Sequence, residues 1–414
     1  MTNLRVLYVT PNAPWPTTTG SSQRSNLLWH ALDQIASINM VCLQSEGSLG
    51  NDACEKLATE FCAVGIHNRF GMVAKAPWNQ LAKLHRPSAA RIANFYDASE
   101  NRYKHDDLLI EQLSINKLLD ETDLIVGRYL HSVACLGLLD SSKPVLVDVD
   151  DLDSHALQSA IKVAPSGLSR FLSKRHLNGI LKEETNQLKK ASGIWVANPD
   201  DKNHPALTSS AVLENIPFSE SDEDYNTIPP PQDALVVGCL ASYGHTPNVE
   251  GIDWFNTQVW PTVIAEVPQA QFHIYGSQLS DQLRDRWQST QHNIVAKGFV
   301  EKVSDAYQSI TLSVCPVQRG AGTNIKVLEA AFHHRFCLTT QSASRGIASN
   351  EKLAKHMSIT NNANEMAREI IFYLNNLGAL ASKTQGFSAA FKQNYSRETF
   401  NQSVHSLVEN TMAK

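Results

Sequence analysis

Short apolar runs, each followed by a stretch of helical spacing, recur along this chain, and the pattern starts twice. In the first half the runs are 4–10, 38–43, 124–126 and 145–149. In the second they are 235–240, 271–275, 294–295, 312–315 and 336–339, with helical spacing over 251–267, 278–289, 303–309 and 323–333. Strands alternating with helices dictate parallel sheets covered on both faces, because a parallel connection needs a crossover and the crossover helices lie on the sheet. The 414 residues exceed one ordinary core and predict two domains of about 200 residues each. The acidic stretch 222–232, which ends its turn signal in Pro229-Pro230-Pro231, reads as their join. Such sheets bind ligands beyond the carboxyl ends of their strands, so two facing halves would place a site in the cleft between them.

Composition removes several classes. The chain carries 36 Lys and Arg against 41 Asp and Glu, and neither half is basic, which argues against a dedicated nucleic-acid binder. An apolar fraction of 42% suits globular folding rather than disorder. The seven cysteines are odd in number, form no Cys-x-x-Cys and sit partly inside apolar runs. They read as buried free thiols of a reducing compartment. No signal-peptide pattern and no run near 18 apolar residues is evident, so a cytoplasmic protein is expected.

The stretch richest in chemistry is Val314-Cys315-Pro316-Val317-Gln318-Arg319-Gly320-Ala321-Gly322-Thr323-Asn324-Ile325-Lys326-Val327-Leu328-Glu329-Ala330. A strand ends, a glycine-containing loop turns, and a helix begins. Glycines let backbone N–H groups approach a ligand, and a helix start adds unpaired N–H groups with partial positive charge. Lys326 adds a full charge, which suits a pyrophosphate. Glu329 follows Lys326 by three positions, on the same helical face. There a carboxylate can accept hydrogen bonds from two vicinal hydroxyls of a ribose or sugar. The alternative is an ordinary corner with a surface Lys–Glu pair.

With these pieces in order, the sequence resembles the GT-B glycosyltransferases, specifically the retaining family 4, glycosyl transferases group 1. The resemblance is strongest over about 235–347. It is carried by Val236-Val237-Gly238, Pro247-Asn248-Val249-Glu250-Gly251, Val259-Trp260-Pro261, Phe272-His273-Ile274-Tyr275-Gly276, Lys297-Gly298-Phe299-Val300, the 314–330 stretch and Thr340-Gln341-Ser342. In the first half Pro14-Trp15-Pro16, Gly20-Ser21 and Arg24 match more loosely. The resemblance implies an α/β protein of two facing Rossmann-like domains. Residues 1–215 would be the acceptor side and 216–388 the donor-nucleotide side, with 389–414 returning as helix to the first domain. It implies a metal-independent transfer, with retention, from a nucleotide-sugar donor to a glycan, lipid-linked or other glycoconjugate acceptor, with no cofactor. Backbone at Phe299 and Val300 would read the base and Glu329 would hold the ribose. Gly322, Thr323, Asn324 and Lys326 would meet the diphosphate, joined by Gly20 and Ser21 from the first domain and by Arg319 or His245. Lys326 and Arg319 would stabilise the leaving diphosphate, and His131 is a candidate near the donor sugar.

The chain also departs from the family pattern. The family's Glu eight residues before Glu329 is Ala321, its second N-terminal Gly is Ser21, and its Arg and Lys after the 235–240 strand are not evident. These departures keep two rivals open: a non-catalytic sugar-nucleotide-binding protein, and another GT-B-shaped enzyme such as a nucleotide-sugar epimerase. In the first half, Arg128 at a strand end suits phosphates. Asp148-Val149-Asp150-Asp151-Leu152-Asp153 lacks the spacing of a calcium loop, so Asp150 and Asp151 are expected on the acceptor side rather than on a metal. Two basic segments offer peripheral membrane contact as an alternative to a solvated face: Lys75, Lys83, Arg86 and Arg91; and Arg170, Lys174, Arg175, Lys182, Lys189 and Lys190.

Overall fold

The computed structural model describes residues 4–15, 17, 20–43, 103, 105–150, 152–155, 158, 168–217, 231, 235–319 and 324–413. The chain divides into two compact units, Met1–Glu214 with Glu398–Lys414, and Asn215–Arg397.

The first unit runs β1 (Arg5–Thr10), α1 (Gly20–Asp33), β2 (Ser37–Cys42), α2 (Asp107–Gln112), α3 (Ile115–Asp120), β3 (Leu124–Arg128), α4 (Leu130–Cys135), β4 (Val145–Val149), α5 (Leu168–Leu188), β5 (Gly193–Val196) and β6 (Ala211–Val212). The strands pair in the order β2-β1-β3-β4-β5-β6, all parallel. β3 and β4 are buried at every position, as strands covered on both faces must be. They read as mostly apolar runs for that reason, Arg128 and Asp148 being their charged positions. β5 and β6 were not anticipated, since four and two residues give too little pattern to detect.

The second unit contains β7 (Val236–Leu240), α6 (Thr246–Trp254), α7 (Trp260–Glu266), β8 (Gln271–Tyr275), α8 (Asp281–Trp287), β9 (Ile294–Gly298), α9 (Val303–Ser309), β10 (Leu312–Cys315), α10 (Ile325–Phe332), β11 (Cys337–Thr339), α11 (Glu351–Ala354), β12 (Ser358–Ile359), α12 (Ala363–Asn375) and α13 (Leu377–Asn394). Its parallel strands pair as β12-β11-β10-β7-β8-β9. The single helix expected over 251–267 begins earlier, at Thr246, and is interrupted by a π turn over Phe255–Val259. Pro261 accounts for the interruption, because its ring clashes with the carbonyl four residues back and it has no N–H to donate. The helix expected over 278–289 shortens to Asp281–Trp287. Gln278 sits at φ 58° and the Ser280 hydroxyl caps Leu283 N–H.

The last helix, α14 (Arg397–Met412), lies with the first unit from Glu398 onward. His405 Nε2 meets Ala31 O at 2.7 Å, and the Arg24 guanidinium lies 5.9 Å from the Phe400 ring centroid. Five cysteines, 42, 135, 239, 315 and 337, are buried and unbridged; Cys54 and Cys62 lie outside the described residues. Burial pushes the Cys239 thiol up to about 12, so at neutral pH it stays protonated and inert.

Candidate functional site

In a doubly wound sheet the crevice opens where the strand order reverses, at the carboxyl ends of two neighbouring strands whose helices leave in opposite directions. In the second unit that point lies between β7 and β10. The segment after β7 leads into α6 and the segment after β10 leads into α10, so both helix starts flank one crevice.

Close backbone packing brings the two together. A Cβ on Gly251 would lie 2.8 Å from Pro316 O, so only glycine lets α6 come this near the segment after β10. Two side-chain links span the gap. Lys326 Nζ donates to Asn248 Oδ1 at 2.7 Å and lies 3.5 Å from Asn324 Oδ1. Asn248 also donates to Ser242 O at 2.7 Å, tying the β7 turn to the same amide. Lys326 is therefore held by neutral oxygens, with no carboxylate in ion-pair contact among the described residues. Arg319 is placed differently. Its Nε donates to Glu250 Oε2 at 2.5 Å and its other nitrogen engages Glu250 Oε1. The guanidinium holds the Glu250 carboxyl below the usual range, and Arg319's own charge is spent on that pair.

Glu329 is half-buried on α10, one turn from Lys326. Desolvation raises its pKa and Lys326 opposes that rise. Among the described residues its carboxylate makes no hydrogen bond, so it is a desolvated acceptor facing no protein donor. His245 precedes α6 as its N-cap and is exposed. Phe299 follows the carboxyl end of β9 and is 69% exposed, with Val300 half-buried beside it. Gly322 and Thr323 lie outside the described residues, as does Ala321.

The first unit has its own reversal, between β1 and β3. Here the charges turn inward. Arg24 donates to both Asp148 oxygens, at 2.9 and 2.6 Å, and to Leu213 O at 2.9 Å. Arg128 is fully buried and presents no open guanidinium. It donates to Asp150 Oδ2 at 2.6 Å, Ser25 Oγ at 2.9 Å, Tyr129 Oη at 3.3 Å and the Ser21 carbonyl. Ser21 Oγ lies 3.4 Å from Tyr129 Oη, which links the start of α1 to the end of β3. Gly20 is exposed at that helix start. Tyr129 adopts φ 60°, a costly angle for a bulky residue. Its ring stacks on half-buried His131, with centroids 5.7 Å apart. Asp150 is placed on Arg128; Asp151 lies outside the described residues.

Sequence reasoning missed the linking roles of Asn248, Glu250 and Tyr129. It quoted Arg24 and Asp148 without joining them. Of the basic segments, residues 75–91 and the side chains of Arg170, Lys174 and Arg175 lie outside the described residues. Lys182 and Lys189 are exposed, and Lys190 pairs with Asp140 at 2.7 Å. No described helix is long and apolar enough to cross a membrane.

Two parallel six-stranded sheets, each with its reversal crevice, are the GT-B arrangement of strands and helices, and solved glycosyltransferases share it. A glycosyltransferase from Rickettsia africae ESF-5 superposes with a TM-score of 0.65 at 11% identity, covering 100% of this chain and 99% of that one. Anabaena Alr3699/HepE in complex with UDP gives 0.59 at 13% identity, over 98% and 100% of the two chains. Within the fold, residues 234–376 match the family model of glycosyl transferases group 1, a span that runs from β7 to the end of α12 and contains the second crevice. A protein from Klebsiella pneumoniae, described as an uncharacterized 44.6 kDa protein in the cps region, is 22% identical over 308 residues, 69% of this chain and 73% of its own.

Proposed function

We propose that this chain transfers a sugar, with retention and without a metal ion, from a nucleotide-sugar donor to a glycan, lipid-linked or other glycoconjugate acceptor. The observation that carries the reading is the second crevice. It holds a cation positioned by neutral amides, a desolvated carboxylate without a protein donor, and two helix starts. A nucleoside diphosphate complements that set, with its ribose diol on Glu329 and its diphosphate on Lys326 and the α10 start. The UDP bound in the Anabaena relative makes UDP the first nucleotide to test. In this role the protein stabilises charge on the leaving diphosphate and supplies position rather than a nucleophile.

Metal independence draws support from the carboxylates themselves. Asp148 and Asp150 are engaged by Arg24 and Arg128, and two guanidinium groups leave little electrostatic room for a cation. Turnover of the donor should persist in EDTA. Loss on chelation, restored by Mg²⁺ or Mn²⁺, would overturn this part of the reading. Ala321 favours a second reading, a sugar-nucleotide-binding protein without catalysis. Calorimetric titration with UDP, GDP and ADP, followed by assay for nucleoside diphosphate released only when acceptor is supplied, separates the two. Binding without release under any acceptor would favour the second.

A further inference from the structure

A pocket of about 210 Å³ in the first unit has no part in the crevices above. It lies past the carboxyl ends of β4 and β5, because Ser154 follows β4 and His204 follows β5. Two of its lining side chains are buried with polar atoms left over. Ser154 is 1% exposed and its Oγ has no partner; His204 is 5% exposed and its Nε2 has none, among the described residues.

The state of His204 follows from its other nitrogen. Ala206 N–H donates to His204 Nδ1 at 3.2 Å, so Nδ1 is an acceptor and the ring proton sits on Nε2. Burial lowers its pKa, and neighbouring His155 lowers it further, which keeps the ring neutral. His204 thus offers the pocket one N–H donor, and Ser154 offers a hydroxyl that both donates and accepts. A buried polar atom left unmatched carries its full desolvation cost, and among the described residues neither Ser154 Oγ nor His204 Nε2 has a hydrogen-bond partner. The rest of the lining is of two kinds. Gln158 and Asn203 bring amides, while Leu177 and Leu181 form an apolar wall. Among the described residues the lining itself carries no Lys, Arg, Asp or Glu side chain; the carboxylates behind it contact the protein, Asp201 Oδ1 lying 3.0 Å from His155 Nδ1 and Glu184 Oε1 accepting from Ser154 N–H at 3.0 Å. A ligand here is neutral, presents hydroxyls to one side and C–H groups to the other, and is smaller than the drug-sized ligands that fill roughly 300–1,000 Å³.

We infer that this pocket is a subsite for one neutral pyranose. The assignment of that pyranose to the acceptor rests on the transferase reading; the binding itself does not. The test uses the full chain and the methyl glycosides of glucose, galactose, mannose and N-acetylglucosamine. Each is titrated by saturation-transfer NMR into wild type, Ser154→Ala, His204→Phe and Leu181→Trp, with thermal melts to establish folding. At least one glycoside should bind with a Kd in the range of about 1–10 mM, the scale of a single ring with few contacts. Ser154→Ala should weaken it about fivefold or more, and Leu181→Trp, which fills the pocket, should abolish it. UDP titration should give the same affinity in all four proteins. Failure of every glycoside, or equal binding to wild type, Ser154→Ala and Leu181→Trp, overturns the proposal. If UDP, GDP and ADP all fail to bind wild type while a glycoside binds through Ser154, the transferase reading falls and the subsite stands.

Discussion

Two reversal crevices in one chain handle charge in opposite ways. In the first unit Arg24, Arg128, Asp148 and Asp150 are buried or nearly so and pair with one another, although Arg128 Nε, 3.5 Å from Asp148 Oδ2, makes no hydrogen bond among the described residues. In the second, Lys326 and Glu329 stay partly open on one helix, and among the described residues neither takes an ionic partner in contact. The same topology therefore supports one crevice whose charged side chains pair with each other and one whose charged side chains do not. Buried mutual pairing yields rigidity and a fixed geometry at the end of β3. Unpaired, half-buried groups carry a standing cost that a ligand can relieve.

The largest expected effect comes from breaking the paired crevice. Asp148→Ala leaves the Arg24 guanidinium buried without its main partner, and loss of one member of a buried pair costs about 3–5 kcal/mol. Urea denaturation should show a loss on that scale. A change under about 1 kcal/mol would mean that the network is wetter and looser than its hydrogen bonds imply.

Next comes Glu329→Ala, which removes charge-assisted contacts to a ribose diol. A loss of about 2–4 kcal/mol corresponds to a roughly 30- to 1000-fold weaker UDP affinity. Stability should move the other way. The folded pKa of Glu329 is raised, so the stability linked to it is present at low pH and is lost as pH rises through the folded pKa. Glu329→Gln should therefore be at least as stable as wild type at pH 7 while binding UDP more weakly. Wild-type affinity in the alanine variant would sink the ribose assignment.

Lys326→Ala should lose about 1.5–3 kcal/mol, or roughly 10- to 150-fold, toward UDP and almost nothing toward uridine. Equal losses toward both would mean that Lys326 shapes the pocket instead of meeting the diphosphate.

The smallest effect belongs to Arg319→Ala. Its partner Glu250 is about two-fifths exposed, so the pair contributes only about 0.2–1 kcal/mol, and UDP affinity should stay within about threefold of wild type. Because Glu250's pKa is lowered, its stabilisation holds above the unfolded carboxylate pKa and fades as pH falls through the folded one. The stability difference between wild type and Arg319→Ala should close in acid. A large loss of UDP affinity would instead return Arg319 to the diphosphate.

The contrast between the crevices also marks what could be seen in the sequence. A strand such as Val236–Leu240 was legible because burial on both faces leaves a continuous run without charged or hydroxyl side chains. The Lys326–Glu329 pair was legible because its spacing is local and helical. Asn248 was not, since its bond to Lys326 joins residues 78 apart, and Arg24 reaches Asp148 across 124. No periodicity reports which side chains two crossovers bring face to face. The π turn at Phe255–Val259 was hidden for another reason. Apolar residues on both sides of Pro261 keep helical spacing, and the strain it imposes falls upstream of the proline itself.

The placement of α14 has a consequence for how the chain assembles. Residues Asn215–Arg397 of the second unit are contiguous, whereas the first unit is interrupted and finishes only at the end of the chain. During synthesis the second unit has all its strands before the first has Phe400 to set against Arg24. The helix that covers α1 must then close a loop of some 180 residues, an entropic step whose cost grows only with the logarithm of length. If the second unit folds first, that loop is already compact when α14 emerges, and the early domain waits on the late one for its last helix.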